Sequence, residues 1–150
     1  MKKVFALALA MVMCLTAFAV CGGSKNVNLD EVMTKINTEY KLDLKKIDNL
    51  NTYYQINNDD VKQFAAEINS DSNAPVEIVL VEAKDSDAAK KIETLLDQHL
   101  KRNINQYASY NKDNKAMAEK CKVTNENNFV TLIMAKDAEG MLKIFNDSVK

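Results

Sequence analysis

Glycine is nearly missing from this chain: its 150 residues hold three, Gly22, Gly23 and Gly140. A glycine-rich phosphate loop or dinucleotide fingerprint needs several positions free of a Cβ, and these three cannot build one. Histidine is rarer still. His99 stands alone, which excludes a zinc site of the usual histidine-rich kind. Arg102 is the single arginine, so bidentate recognition of phosphate or carboxylate by an arginine cluster is excluded too. Neither sign of charge dominates: the net charge is −1, and removing Lys2 and Lys3 takes it to −3. A mildly acidic body argues against nucleic acid as a partner and against a polybasic membrane-binding surface. With 47% hydrophobic residues, 27% charged residues and one proline, the composition is that of an ordinary globular protein, and the length fits one domain.

The apolar residues are unevenly spread. Val4 to Val20 runs seventeen residues without a charge behind Lys2 and Lys3, the pattern of an export signal. Two cleavage chemistries compete there. In lipoprotein processing, a cysteine just after the run takes a diacylglycerol on its sulfur and becomes the new N-terminus; Phe18-Ala19-Val20-Cys21-Gly22-Gly23-Ser24 is similar to such a site. Thiol chemistry explains why the residue must be cysteine, and Gly22, Gly23 and Ser24 suit a flexible tether. Phe18 and Val20 depart from the usual leucine and small residue. Ordinary signal cleavage after Ala17-Phe18-Ala19 instead gives a soluble protein beginning at Val20. Without any cleavage, seventeen helical residues rise about 26 Å and barely span a bilayer. The first chemistry is the favoured expectation, with residues 1–20 as signal peptide, 21–27 as tether and 28–150 as one α+β domain.

Few residues in that domain carry reactive chemistry. Cys14 falls in the signal, leaving Cys21 and Cys121. Cys121 beside Val123 reads as a small buried apolar residue; as a nucleophile it would want a base, and His99 lies in a different element. If cleavage follows Ala19, a Cys21–Cys121 disulfide becomes an option in an oxidising compartment. His99 reads as a core-edge residue, because a base needs a nucleophile and an orienting acid and nothing local supplies them. Asp85-Ser86-Asp87 suits helix capping better than a divalent metal, and Asp137 with Glu139 repeats that arrangement. Asn57–Asp60 and Asp71–Asn73 lack the glycine and glutamate of a calcium loop. No catalytic, cofactor-binding or metal-ligating residue is nominated.

Hydrophobic spacing outlines the fold. Asn28 caps a helix over Leu29 to Tyr40, and Leu44, Ile47 and Leu50 suggest a further helical turn or two. Tyr53-Tyr54 suggests a strand over Thr52 to Ile56. Residues 62–69 fit helix or strand. A repeat at an offset of 52 favours strand: Ile78-Val79-Leu80-Val81-Glu82-Ala83-Lys84-Asp85 matches Val130-Thr131-Leu132-Ile133-Met134-Ala135-Lys136-Asp137. Each copy reads as strand, aspartate cap and helix, and the second is preceded by a hairpin turning at Asn125 to Asn128. By analogy residues 62–69 pair with Val76 to Ala83. The longest helix runs from Ser86 to about Tyr107, roughly 33 Å, and a short helical turn follows at Lys115 to Lys120. Together these elements predict an α+β two-layer sandwich, an antiparallel sheet with helices on one face, built on what reads as a duplicated ββα unit.

The tyrosines are the remaining surface candidates. Tyr53 and Tyr54 on a strand would point to opposite faces, one of them exposed on the open face of the sheet. Tyr107 and Tyr110, three apart, would neighbour each other at the end of the long helix. An exposed cluster of Tyr53, Tyr54, Tyr107 and Tyr110 would mark a binding surface; as amphipathic residues at the core boundary they would mark none.

The Cys21-Gly22-Gly23-Ser24 tether, Tyr53-Tyr54-Gln55-Ile56, Glu77-Ile78-Val79-Leu80-Val81-Glu82-Ala83-Lys84-Asp85 and the Leu95–Tyr110 helix together resemble an uncharacterised family. Its members are small lipoproteins of Gram-positive bacteria, classed as a domain of unknown function. The resemblance implies a place on the outer face of the cell membrane and carries over no catalytic residue. The expected function is a non-catalytic binding or accessory module at the envelope, joined to the membrane by its N-terminal lipid. Its partner would be an envelope protein or a small ligand, not nucleic acid. The alternatives are an enzyme with an unrecognised site, or a secreted soluble protein cleaved after Ala19.

Overall fold

Asn28 opens the first helix, α1 (Leu29–Tyr40), by accepting hydrogen bonds from the amides of Asp30 and Glu31 at 3.0 and 3.3 Å. Lys41, left-handed at φ 52°, closes it. The computed structural model describes residues 27–69, 71 and 73–150. The signal, the Cys21 site and tether residues 21–26 lie outside them.

The next segment departs from expectation twice. Residues 42–49 form no helical turn; they run through a two-residue edge strand, β1 (Lys45–Lys46), and Ile47 and Leu50 reach the core. Thr52 to Ile56 is not a strand. The chain forms a short helix, α2 (Leu50–Tyr54), capped by Asn49, whose side chain accepts from Thr52 N at 3.1 Å. The preference of aromatic residues for strands reflects packing on a pleated surface. Here the packing favours a helix, because Leu50 and Tyr54, four apart, both bury completely on one side.

Four further strands and the long helix follow expectation. A 3₁₀ turn at Asn58–Asp60 leads into β2 (Val61–Ile68), which pairs antiparallel with β3 (Glu77–Ala83). Asp85 caps α3 (Ser86–Ala108), accepting from Asp87 N at 3.1 Å and Ala88 N at 2.8 Å. The Ala88 bond, with the Asp87 bond and neighbouring lysines, holds the Asp85 carboxyl below its ordinary value despite some desolvation. The helical turn foreseen at Lys115 to Lys120 begins earlier, as α4 (Lys112–Ala118) capped by Asn111. The last hairpin joins β4 (Val123–Glu126) to β5 (Phe129–Met134) through Asn127 and Asn128, both at positive φ. Paired positive φ values are the hairpin geometry that asparagine tolerates best. α5 (Ala138–Val149) ends the chain.

One antiparallel sheet results, in the order β1-β2-β3-β5-β4. The α+β class is as expected; the placement of the helices is not, because they cover both faces. Val79, Val81 and Leu132 pack with Leu50, Tyr54, Ile92 and Leu96 in a core that includes α2, α3 and α4. Ile78, Leu80 and Ile133 face the other way, into a core with Ile36 of α1 and Phe145 of α5. Every residue of β5 is buried, and all but one of β3. A strand loses its polar face when both sides are covered.

The repeat also reads differently in three dimensions. The order ββα occurs twice, as β2-β3-α3 and β4-β5-α5, but residues aligned at the offset of 52 face opposite ways. Val79 belongs to the α3 core and Ile78 to the α1–α5 core, whereas Val130, matched to Ile78, belongs to the α3 core. The two helices consequently lie on opposite faces, so the units do not share one arrangement. Nor does Asp137 repeat the role of Asp85. Its side chain caps no amide of α5; it lies beside the Tyr40 hydroxyl, whose phenol is held above its ordinary value by burial and then by the Asp137 charge. That hydroxyl occupies the space where a Cβ on Gly140 would stand, which gives the only glycine of the described residues a steric reason.

Candidate functional site

β3 begins with a charged residue in the core. Glu77 shares the strand parity of Val79 and Val81, so it points toward α3, and it is 2% exposed. A bare carboxylate there would cost several kcal/mol. Two residues one turn apart on α3 meet it: His99 Nε2 lies 2.9 Å from one carboxylate oxygen and Asn103 Nδ2 lies 3.3 Å from the other. With Glu77 ionised, both nitrogens donate. Asn103 Nδ2 also comes within 3.0 Å of His99 Nε2, because the two side chains converge on the two oxygens of one carboxylate. Met134 Sδ, 3.9 Å from the Asn103 amide, completes the surroundings from β5.

The tyrosines flank this carboxylate. Tyr54 is fully buried and meets His99 edge-on, ring centroids 4.9 Å apart. Its hydroxyl approaches the Glu77 carboxylate but makes no hydrogen bond of good geometry among the described residues. Burial, and then the charge of Glu77, push its phenol far above the ordinary value. Tyr107 is also buried; its phenol is pushed up to about 12 by burial, then by Tyr110 and Glu77. The rings pair as Tyr53–Tyr54 at 6.2 Å and Tyr107–Tyr110 at 5.8 Å. Only the outer member of each pair is exposed, Tyr53 at 46% and Tyr110 at 57%. Tyr54 and Tyr107 belong to the core, and no helix-free sheet face exists to carry Tyr53 or Tyr54. Sequence reasoning missed Glu77 and Asn103. One signal was present: a glutamate in register with Val79 and Val81 at the head of an apolar strand.

Cys121 is half-buried. Its thiol donates to Met117 O at 3.4 Å, and burial holds it above its ordinary value. Two surface hollows adjoin it. The larger, about 730 Å³, lies among Pro75, Met117, Ala135 and the start of α5; the smaller, about 470 Å³, lies between α5 and the approach to the last hairpin. His99 lines neither, so the structure does not join cysteine and histidine into a nucleophile–base pair. Among the described residues no three His, Cys, Asp or Glu side chains gather as a metal site. No described helix is long and apolar enough to cross a membrane.

An antiparallel sheet sealed on both faces, holding one interior carboxylate between a helix histidine and a helix asparagine, defines a small α+β domain. The chain belongs to the DUF4358 family, a domain of unknown function, whose model matches residues 34–135. The match takes in Glu77, His99, Asn103, Cys121 and the four tyrosines at 53, 54, 107 and 110, and ends before α5. No curated protein and no solved structure matches the chain.

Proposed function

We propose that this protein is an extracytoplasmic binding or accessory module, held at the outer face of the cell membrane by lipid on Cys21. One observation carries the reading: the uncharged Val4–Val20 run ends on Cys21-Gly22-Gly23-Ser24, a short stretch of chain before the α+β domain whose first helix starts at Leu29. A lipidated N-terminal cysteine carries two or three acyl chains, enough for stable anchoring. The resemblance to Gram-positive lipoproteins supports the same address. The chemistry of the domain supports a non-catalytic role, since burial disfavours the Cys121 thiolate and His99 is committed to an interior carboxylate. An enzyme reading draws on the hollow beside Cys121, and that thiol is poorly placed for nucleophilic attack.

Mass spectrometry of protein from its native host tests the anchor. The expected product starts at a diacylglyceryl-modified Cys21; its processing is globomycin-sensitive, and its palmitate label disappears in Cys21→Ala. An unmodified N-terminus at Val20, or one retaining Met1, overturns the membrane address. Binding is tested by retention of an envelope protein or small ligand from solubilised envelope, and repeated failure to enrich either counts against it.

A further inference from the structure

α5 packs on β5 and α1, while the outer strand β4 is covered by α3 on the opposite side of the sheet. The corner between α5 and the residues leading into β4 is therefore unfilled, and the hollow of about 470 Å³ opens there. Its floor is apolar, formed by Ile133, Ala138 and Leu142. Its rim is basic: Lys120, Lys122, Lys143 and Lys150, against Glu139 and Asp147. Lys150 is taken up by Asp147 at 3.5 Å. Lys120, Lys122 and Lys143 enter no ion pair among the described residues, and all three are exposed.

Three unpaired ammonium groups facing one carboxylate make a positive site on a body whose charge without Lys2 and Lys3 is −3. Surface lysines normally scatter among acids; here three of them line one hollow together with Ile133, Ala138 and Leu142. That combination complements a ligand with an anionic head and an apolar body. The volume falls within the roughly 300–1,000 Å³ of small-molecule sites.

We propose that this hollow binds a single-chain amphiphilic anion, a carboxylate or phosphate monoester on a short alkyl body. The head sits among Lys120, Lys122 and Lys143, and the body lies on Ile133 and Leu142. The proposal gives the binding-module reading a ligand class and rests on that reading.

Calorimetric titration of the full chain carrying Cys21→Ala tests it, with decanoate as probe. The expected result is one saturable site, weakened about tenfold or more by Lys122→Glu with Lys143→Glu. The unfolding midpoint should be unchanged, because both side chains are exposed. Competition by inorganic phosphate for the decanoate site supports an anion-reading head. Equal affinity for decanol, or unchanged decanoate affinity in the double variant, overturns the proposal. Binding to phosphatidylglycerol vesicles without binding of free decanoate also overturns it, by assigning the lysines to a flat membrane. A lipidated Cys21 without decanoate binding sinks this inference alone; decanoate binding with an unmodified Val20 terminus sinks the anchor alone.

Discussion

Glu77 and Tyr54 illustrate opposite treatments of a buried polar atom. The Glu77 carboxylate has a donor for each oxygen, whereas the Tyr54 hydroxyl only approaches that carboxylate and makes no well-formed hydrogen bond among the described residues. Removing an acceptor strands its donors, while removing an unpartnered hydroxyl strands nothing. Glu77→Ala should therefore cost ~3 kcal/mol or more, and Tyr54→Phe should be neutral or stabilising by up to ~1 kcal/mol. Urea denaturation measures both, and a Tyr54→Phe loss above ~1 kcal/mol would show that the hydroxyl has a partner. Burial also raises the phenols of Tyr54 and Tyr107 and the thiol of Cys121. The sign follows: a folded value above the unfolded one gives stability that is present below the unfolded value and lost as pH rises through the folded one. Stability should decline above about 8.5, the ordinary thiol value, and more steeply above about 10, the ordinary phenol value. Cys121→Ala should flatten the first part of the decline and Tyr54→Phe the second; stability independent of pH between 8 and 11 contradicts both shifts. None of this was legible from residue types alone. His99 looked unsupported because its acid, Glu77, comes from a strand 22 positions earlier, and only tertiary packing joins them.

Elements with a capping residue and a consistent period were readable. Asn28 and Asp85 marked the starts of α1 and α3, and the Asn125–Asn128 cluster marked the last hairpin. β2 was readable only through its pairing partner, since its own pattern fitted two periods. The segment of five residues that became α2 misled, because Tyr53-Tyr54 carries strand propensity while its cap, Asn49, lies outside the aromatic stretch. Gln55 discriminates the two conformations. It closes α2 in the left-handed region, φ 61°, where a side chain is penalised and glycine is not. Gln55→Gly should stabilise the protein by about 1 kcal/mol. Thermal or urea unfolding would register it, and a loss of stability on that substitution would favour the extended conformation instead.

At the scale of the whole molecule, the number of layers was written in the strands rather than in the helices. A sheet covered on one face should alternate apolar and polar residues, yet Ile78 to Val81 is apolar throughout and Phe129 to Met134 is broken only by Thr131. Uninterrupted apolar strands are the mark of a sheet buried on both sides, in antiparallel sheets as in parallel ones. The helical patterns show which stripe of each helix is buried and not which face of the sheet receives it, so the helices alone suggested two layers. Leu80 and Leu132 put the difference to the test. Both are completely buried on central strands, Leu80 beneath α1 and α5 and Leu132 beneath α3. With both faces sealed, Leu80→Ala and Leu132→Ala should each cost ~3–5 kcal/mol, since each leaves a cavity in a closed core. A sheet open to water on one side would spare one of the two, holding its cost near the ~0.5 kcal/mol typical of surface substitutions. Urea midpoints for the two variants decide between these outcomes, and one cheap leucine among the pair would return the molecule to two layers.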